Sequence, residues 1–235
     1  MTGSAPRYAV YLTPPADHAL WLAGCAWLGR DPTRGPALAA PAREIVRSPW
    51  RYGFHATLKA PMRLAAGVNE AAFLAAVRGV ARDHVVFSMP RLEVGRLDDF
   101  LALRPTVPLA PDHPLRRLAD DCVIRLDRWR ARPTVAELRR QMKPGLDARQ
   151  RSQVTALGYA FVLDDWRCHF TLSGSLSGID APDAAALRAA ADRHFESVLG
   201  ESWRCDALSV FVEPAPGEPF ELRARAVLSV GRARS

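Results

Sequence analysis

The chain has 235 residues, 49% of them hydrophobic and 24% charged, with a formal net charge of +7 at pH 7, a composition that supports a full globular core. It has no run of 18 apolar residues, which excludes an obvious transmembrane helix, and Met1 to Arg7 lack the basic-then-apolar order of a signal peptide. Four scattered cysteines, Cys25, Cys122, Cys168 and Cys205, form no C-x-x-C pair, which argues for buried free thiols in a cytoplasmic protein rather than disulfides or a zinc cage.

The first predicted element is a strand over Arg7 to Thr13, where Tyr8, Val10 and Leu12 alternate with Ala9 and Tyr11 before Pro14-Pro15. Asp17 is the expected N-cap of a helix running to Leu28. The stretch from Asp31 to Pro49 reads as loop, with a short helical turn around Ala42 to Val46. A strand follows near residues 53–61, then an alanine-rich helix from Asn69 to Asp83. Val85 to Val94 and Phe100 to Val107 are two strands forming an antiparallel pair across Gly95 to Asp99. Residues 113–157 turn helical, in three pieces: Pro114 to Trp129, a helix opened by the capping-box pattern Thr134-Val135-Ala136-Glu137, and Asp147 to Leu157 stopped by Gly158. A strand near 166–176, a helix from Pro182 to Leu199 and two terminal strands, Cys205 to Glu213 and Phe220 to Val230, complete the chain. Strands in hairpin order with interspersed helices indicate an α+β fold with antiparallel sheets. No linker marks a boundary, so residues 1–235 read as a single domain.

The net charge invites a nucleic-acid reading. Arginine supplies 30 of the 32 basic residues, only Lys59 and Lys143 being lysine, and that bias fits a GC-rich coding genome as well as phosphate binding. Between Asp112 and Arg151 ten arginines and one lysine face six acids. A solvated helical face with intrahelical ion pairs explains this segment better than a nucleic-acid surface.

Two stretches carry the chemistry. His55-Ala56-Thr57-Leu58 and His169-Phe170-Thr171-Leu172 share the pattern histidine, any residue, threonine, leucine. With 8 threonines, 27 leucines and 6 histidines in the chain, two such matches arise by chance with a probability on the order of 10⁻⁴. They lie 114 residues apart, close to half of the 235, as two related halves each giving one strand to a shared site would place them. On a strand, His55 and Thr57 share one face, and so do His169, Thr171, Ser173 and Ser175, with Phe170 and Leu172 behind them. An imidazole titrates near neutrality, so of two facing rings one can take a proton while the other gives one. Paired threonine hydroxyls would hold non-bridging phosphoryl oxygens, an arrangement suited to in-line displacement at phosphorus. Dinucleotide and P-loop fingerprints are absent, and neither motif has metal-ligand spacing, so no cofactor and no metal are expected.

These motifs resemble the two H-x-[ST]-hydrophobic signatures of the 2H (two-histidine) phosphoesterase superfamily. The flanks Arg51-Tyr52-Gly53-Phe54 and Lys59-Ala60-Pro61, together with Gly158-Tyr159 and Phe100 to Pro105, resemble the bacterial branch found beside carbon–phosphorus lyase genes and linked to phosphonate metabolism. The resemblance spans Tyr8 to about Val230. It implies a bilobal α+β fold, two antiparallel sheets with flanking helices around a central cleft, related by a pseudo-two-fold. It also implies metal-independent opening or formation of a cyclic phosphodiester, with His55 and His169 as general base and acid and Thr57 and Thr171 holding the phosphate. Which histidine plays which role stays open. Lys59 is expected on the face of Thr57 if the strand is regular, where it would stabilise transition-state charge. Ser173, Tyr11, Arg51, Arg104 and Arg167 are further candidates for substrate contacts. The expected partner of a monomeric protein is a small cyclic phosphate of a ribose or nucleoside. The alternative is an RNA-end enzyme or RNA-binding protein using the Arg-rich segment.

Overall fold

The computed structural model describes residues 5–35 and 44–231. Its first strand, β1 (Arg7–Leu12), is buried at Tyr8 through Leu12, on both faces rather than one. The reason is position: β1 is flanked by two other strands and covered above and below. Helix α1 (Ala19–Leu28) is capped by the His18 imidazole, whose Nδ1 accepts from the Leu20 amide at 3.1 Å, one residue after the expected Asp17. Glu44–Val46 forms a 3₁₀ turn where a turn was expected; residues 42 and 43 of that expectation lie outside the described residues.

Helix α2 (Arg47–Tyr52) falls within and just beyond a stretch whose Pro and Arg content reads as loop. It is too short to persist alone. Tertiary contacts hold it: the buried Arg30 guanidinium donates to the carbonyls of Trp50 (3.0 Å) and Arg51 (3.1 Å) and also to that of Phe220. Gly53, at φ 78°, then turns the chain into β2 (Ala56–Arg63).

Helix α3 (Glu70–Arg82), capped by Asn69, precedes the short strand β3 (Phe87–Ser88). The hairpin of β4 (Leu92–Leu97) and β5 (Phe100–Pro105) follows. The expected strand from Val85 to Val94 is thus broken in two, with Pro90 in the gap and no amide to give to a ladder. The β4–β5 loop is only Asp98-Asp99, with Asp98 at φ 52°. Helices α4 (Pro114–Leu126), α5 (Val135–Gln141) and α6 (Ala148–Leu157) form the helical middle. Capping boxes at Thr134/Glu137 and Asp147/Gln150 open the last two. Strand β6 (Phe170–Thr171), helix α7 (Ala181–Leu199), β7 (Arg204–Cys205), β8 (Ala207–Glu213) and β9 (Glu221–Val227) complete the order. No described helix is long and apolar enough to cross a membrane.

The antiparallel sheets run β2-β1-β8-β9, β4-β5-β6 and β3-β7. The fold is α+β. The sheet carrying the first motif is built from both ends of the chain, so the two sheets do not correspond to the two sequence halves. One core nevertheless joins them: Phe54, just before His55, stacks on Phe170, just after His169, with ring centres 5.0 Å apart. Helix α1 leaves room for this contact at Gly24, where a Cβ would come within 2.2 Å of the Phe54 ring.

Two expectations about the motif strands change. The second strand is two residues long rather than about eleven, because on either side the chain leaves the ladder: the Trp166 amide bonds back to Leu163, and the Gly174 and Leu176 amides go to the carbonyls of Ile45 and Asp99. The first strand is irregular. Tyr11 pairs with Thr57 but Val10 pairs with Lys59, a bulge at Leu58 that takes Lys59 off the face of Thr57. Lys59 is buried instead beneath α4, donating to the Val123 carbonyl (3.0 Å) and to Asp127 (2.7 Å). Its role is structural. Lys59→Ala strands that carbonyl and half of the Asp127 pairing, and lowers unfolding free energy by about 3 kcal/mol. Urea denaturation checks this, and a loss below about 1 kcal/mol would contradict the burial argument.

Candidate active site

Each motif histidine stands at the mouth of its strand, just before the ladder begins. His55 Nδ1 lies 2.8 Å from the Gly53 carbonyl, and His169 Nδ1 lies 2.7 Å from the Arg167 carbonyl. Both bonds reach back two residues, the same local device in two sheets. A carbonyl only accepts, so each Nδ1 carries the hydrogen and each Nε2 keeps its lone pair. The Thr57 hydroxyl fits that tautomer, 3.1 Å from His55 Nε2. The two motifs are also tied directly, the Trp166 indole donating to the Thr57 carbonyl at 2.8 Å.

Burial governs the charge state of the pair. His55 is pushed from 6.5 down to about 4, chiefly by desolvation, partly offset by the Gly53 carbonyl and reinforced by the charge of His169. His169 is also lowered by burial, against the pull of the Arg167 carbonyl; the Arg167 charge lowers it further and Asp98 raises it. Neither ring hydrogen-bonds a carboxylate among the described residues, so nothing pre-charges either one. At pH 7 both are neutral, and an anion entering between them raises both.

Aromatic rings set the orientation of the imidazoles. Tyr11 stacks on His55 with centres 3.6 Å apart and planes inclined by 21°, and Tyr52 is 6.3 Å away. Phe100 lies 5.6 Å from His169. Tyr11 is completely buried, its ring also packed on Phe211. It therefore supports the imidazole and is not itself a substrate contact, which corrects the expectation for it.

Ser173 is corrected too. Its hydroxyl is buried, accepts from the Leu101 amide (2.9 Å) and donates to the Gly174 carbonyl (2.8 Å), pinning the chain after β6 to β5. Arg167 offers the site its carbonyl, while its exposed guanidinium pairs with Asp98 at 2.7 Å. Arg104 crosses to Glu93 at 3.0 Å and lies over Gly95, where a Cβ would come within 2.2 Å of its Nε. The pairing of Ala102 with Thr171 puts Arg104 on the same sheet face as Thr171, and with Arg167 and Trp166 it lines a cavity of about 240 Å³. Arg51 pairs with the buried carboxylate of Glu213 and lies 5.5 Å from the Tyr52 ring centre.

Sequence reasoning missed Tyr52, Phe100, Arg7 and Glu213, and the two carbonyls that fix the tautomers. Glu213 had one available signal, a carboxylate at a strand end where the pattern calls for an apolar residue. The carbonyls had none, because any residue supplies one.

A family profile described as "Protein of unknown function (DUF1045)" matches residues 57–221. The chain is 39% identical over 222 residues to a Laribacter hongkongensis (strain HLHK9) protein named ribose 1,5-bisphosphate phosphokinase PhnN, covering 92% of this chain and 50% of that one. A protein of the same name from Janthinobacterium sp. (strain Marseille) is 36% identical over 231 residues, covering 92% and 49%. The chain thus spans about half the length of these curated relatives. Among solved structures it is similar to E. coli LigT complexed with phosphate, at TM-score 0.46 and 14% identity, covering 96% of this chain and 99% of that one. The 3'-AMP complex of LigT gives TM-score 0.48 and 12% identity over the same shares. The profile runs from the threonine of the first motif into β9 and takes in the whole second motif, and the chain belongs to the DUF1045 family.

Proposed function

We propose that the protein is a phosphoesterase that opens a cyclic phosphodiester on a ribose by two-histidine acid–base catalysis. The observation that carries this reading is the paired Nδ1-to-carbonyl tether, which gives two imidazoles the same tautomer with Nε2 free for proton transfer. His55 is the general base. When the phosphate binds, the Thr57 hydroxyl turns to a phosphoryl oxygen and frees Nε2 to take a proton from the attacking water. His169, whose environment includes Asp98, takes up a proton as the anion binds and returns it to the departing ring oxygen. Thr171 holds the phosphate from the other side. One P–O bond forms to water and one breaks to the ring oxygen, leaving an acyclic phosphomonoester and a free hydroxyl.

The ribose is suggested by the relatives, whose name specifies a ribose bisphosphate as the substrate of those longer proteins. The RNA reading is weaker, because the Arg-rich segment is partly neutralised: Arg125 pairs with Asp83 and Asp121, Arg130 with Asp127, and Arg149 with Asp165.

Phosphorus NMR on ribose and nucleoside cyclic phosphates, in EDTA, is expected to show turnover that His55→Ala and His169→Ala each reduce by about 10²–10⁴-fold. Turnover that survives both substitutions would overturn the assignment. The roles separate with a p-nitrophenyl phosphodiester, whose leaving group needs no proton. On it His169→Ala loses far less activity than on the ribose ester, while His55→Ala loses as much on both; the reverse pattern would exchange the roles.

The pH profile follows from the same shifts. The base works above its pKa of about 4 and the acid below its own, itself under 6.5, so kcat/KM of the free enzyme peaks between these values. A profile still rising above pH 7 would contradict the assignment.

A further inference from the structure

Beside the histidine site lies a cavity of about 750 Å³ lined by Arg7, Arg51, Arg63, Arg140, Tyr52 and Thr134. Tyr52 connects the two, its ring 6.3 Å from that of His55 on one side and 5.5 Å from the Arg51 guanidinium on the other. Arg51 of this cavity is therefore one aromatic side chain away from His55.

Two carboxylates organise three of the four guanidiniums without cancelling them. The Glu213 side chain is fully buried and takes hydrogen bonds from Arg7, from Arg51 and from the Gly217 amide at 2.9 Å. Glu137 takes Arg63 on both oxygens, at 3.0 and 2.9 Å, while also closing the capping box of α5. Donor counting shows what is left over. Arg7 gives its Nε to Glu213 and keeps both terminal nitrogens. Arg51 uses Nε and Nη2, and Arg63 uses Nε and Nη2, so each keeps Nη1. Arg140 is exposed and has no ion pair among the described residues. Four positive charges against two negative ones, with the donors of three arginines pre-positioned by the buried Glu213 and the half-buried Glu137, match a phosphate dianion.

We propose that this cavity binds a second, non-reacting phosphate of the substrate. The preferred substrate is then a cyclic phosphodiester that also carries a phosphomonoester, and the arginines fix its orientation against the histidines. This deepens the phosphoesterase reading and rests on it for the kinetic arm alone.

The kinetic test compares a nucleoside 2′,3′-cyclic phosphate with the same molecule bearing a 5′-phosphate. With the unaltered protein the added phosphate lowers KM at least about tenfold with little change in kcat. Arg63→Gln and Arg140→Gln each remove much of that advantage and leave kcat/KM on the simpler compound within about twofold. Equal KM values for the two compounds, or an advantage that survives both substitutions, would overturn the proposal. Arg140 has no partner to lose among the described residues, so its variant separates the site from any folding defect of Arg63→Gln. The second arm is independent of catalysis: calorimetry of pyrophosphate binding to the His55→Ala protein. Binding that persists there and weakens about tenfold in His55→Ala/Arg140→Gln upholds the anion site even where the histidine assignment fails. Absence of binding to His55→Ala, with binding retained by the unaltered protein, assigns the anion to the histidines and overturns the proposal.

Discussion

The stack of Phe54 on Phe170 brings the two motifs together. Each ring is the immediate neighbour of a motif histidine, and both are fully buried in the core shared by the two sheets. Because side chains alternate along an extended chain, burying the phenylalanine turns the adjacent imidazole outward, away from the core. The same packing brings the two histidines near enough for the charge of His169 to lower the pKa of His55. Trp166 reaching the Thr57 carbonyl and Trp27 reaching the Leu172 carbonyl at 2.7 Å fix the register of that contact from both sides. A shift of either sheet would break apolar packing and two hydrogen bonds together.

On this scaffold the electrostatics divide between two kinds of arginine and two kinds of histidine. His18 and His113 accept from the amides of Leu20 and Leu115 and serve as helix caps. His55 and His169 donate from Nδ1 to carbonyls and keep the lone pair on Nε2. Arg30 is buried with three carbonyls as acceptors, which places the α2 segment bearing Arg51 and Tyr52 just upstream of His55. Arg7, Arg51 and Arg63 instead keep free donors, directed by Glu213 and Glu137. A low-polarity setting for the imidazoles beside a strongly positive cavity is consistent within one site. Burial keeps the free rings neutral, and in the proposed reaction the arginines supply the attraction that brings the substrate anion in.

Much of this was legible in the residues themselves. The repeated His-x-Thr-Leu pattern picked out two stretches that the fold brings together, and Asn69 and the capping box at Thr134 placed the starts of two helices, because a side-chain cap is a local signal. What was misread depended on distant contacts. The bulge at Leu58 arises from pairing with β1, and it alone moved Lys59 from the cleft to the underside of α4. Helix α2 owes its existence to Arg30, about twenty residues upstream. Tyr11 and Ser173 were correctly placed near the motifs, but their burial, which removes them from the substrate, follows from packing that a strand pattern does not reveal.

The central claim is that two imidazoles, tethered alike through Nδ1, act together on one phosphate. Long-range proton–nitrogen NMR of the histidine rings tests it most directly, recorded across pH with and without a bound nucleoside 2′-phosphate. The account predicts the Nδ1–H tautomer for both His55 and His169 in the free protein, with pKa values below 6.5 and that of His55 near 4. It predicts that both move upward when the phosphate binds. An Nε2–H tautomer at either ring, or a phosphate that shifts only one of the two, would contradict it.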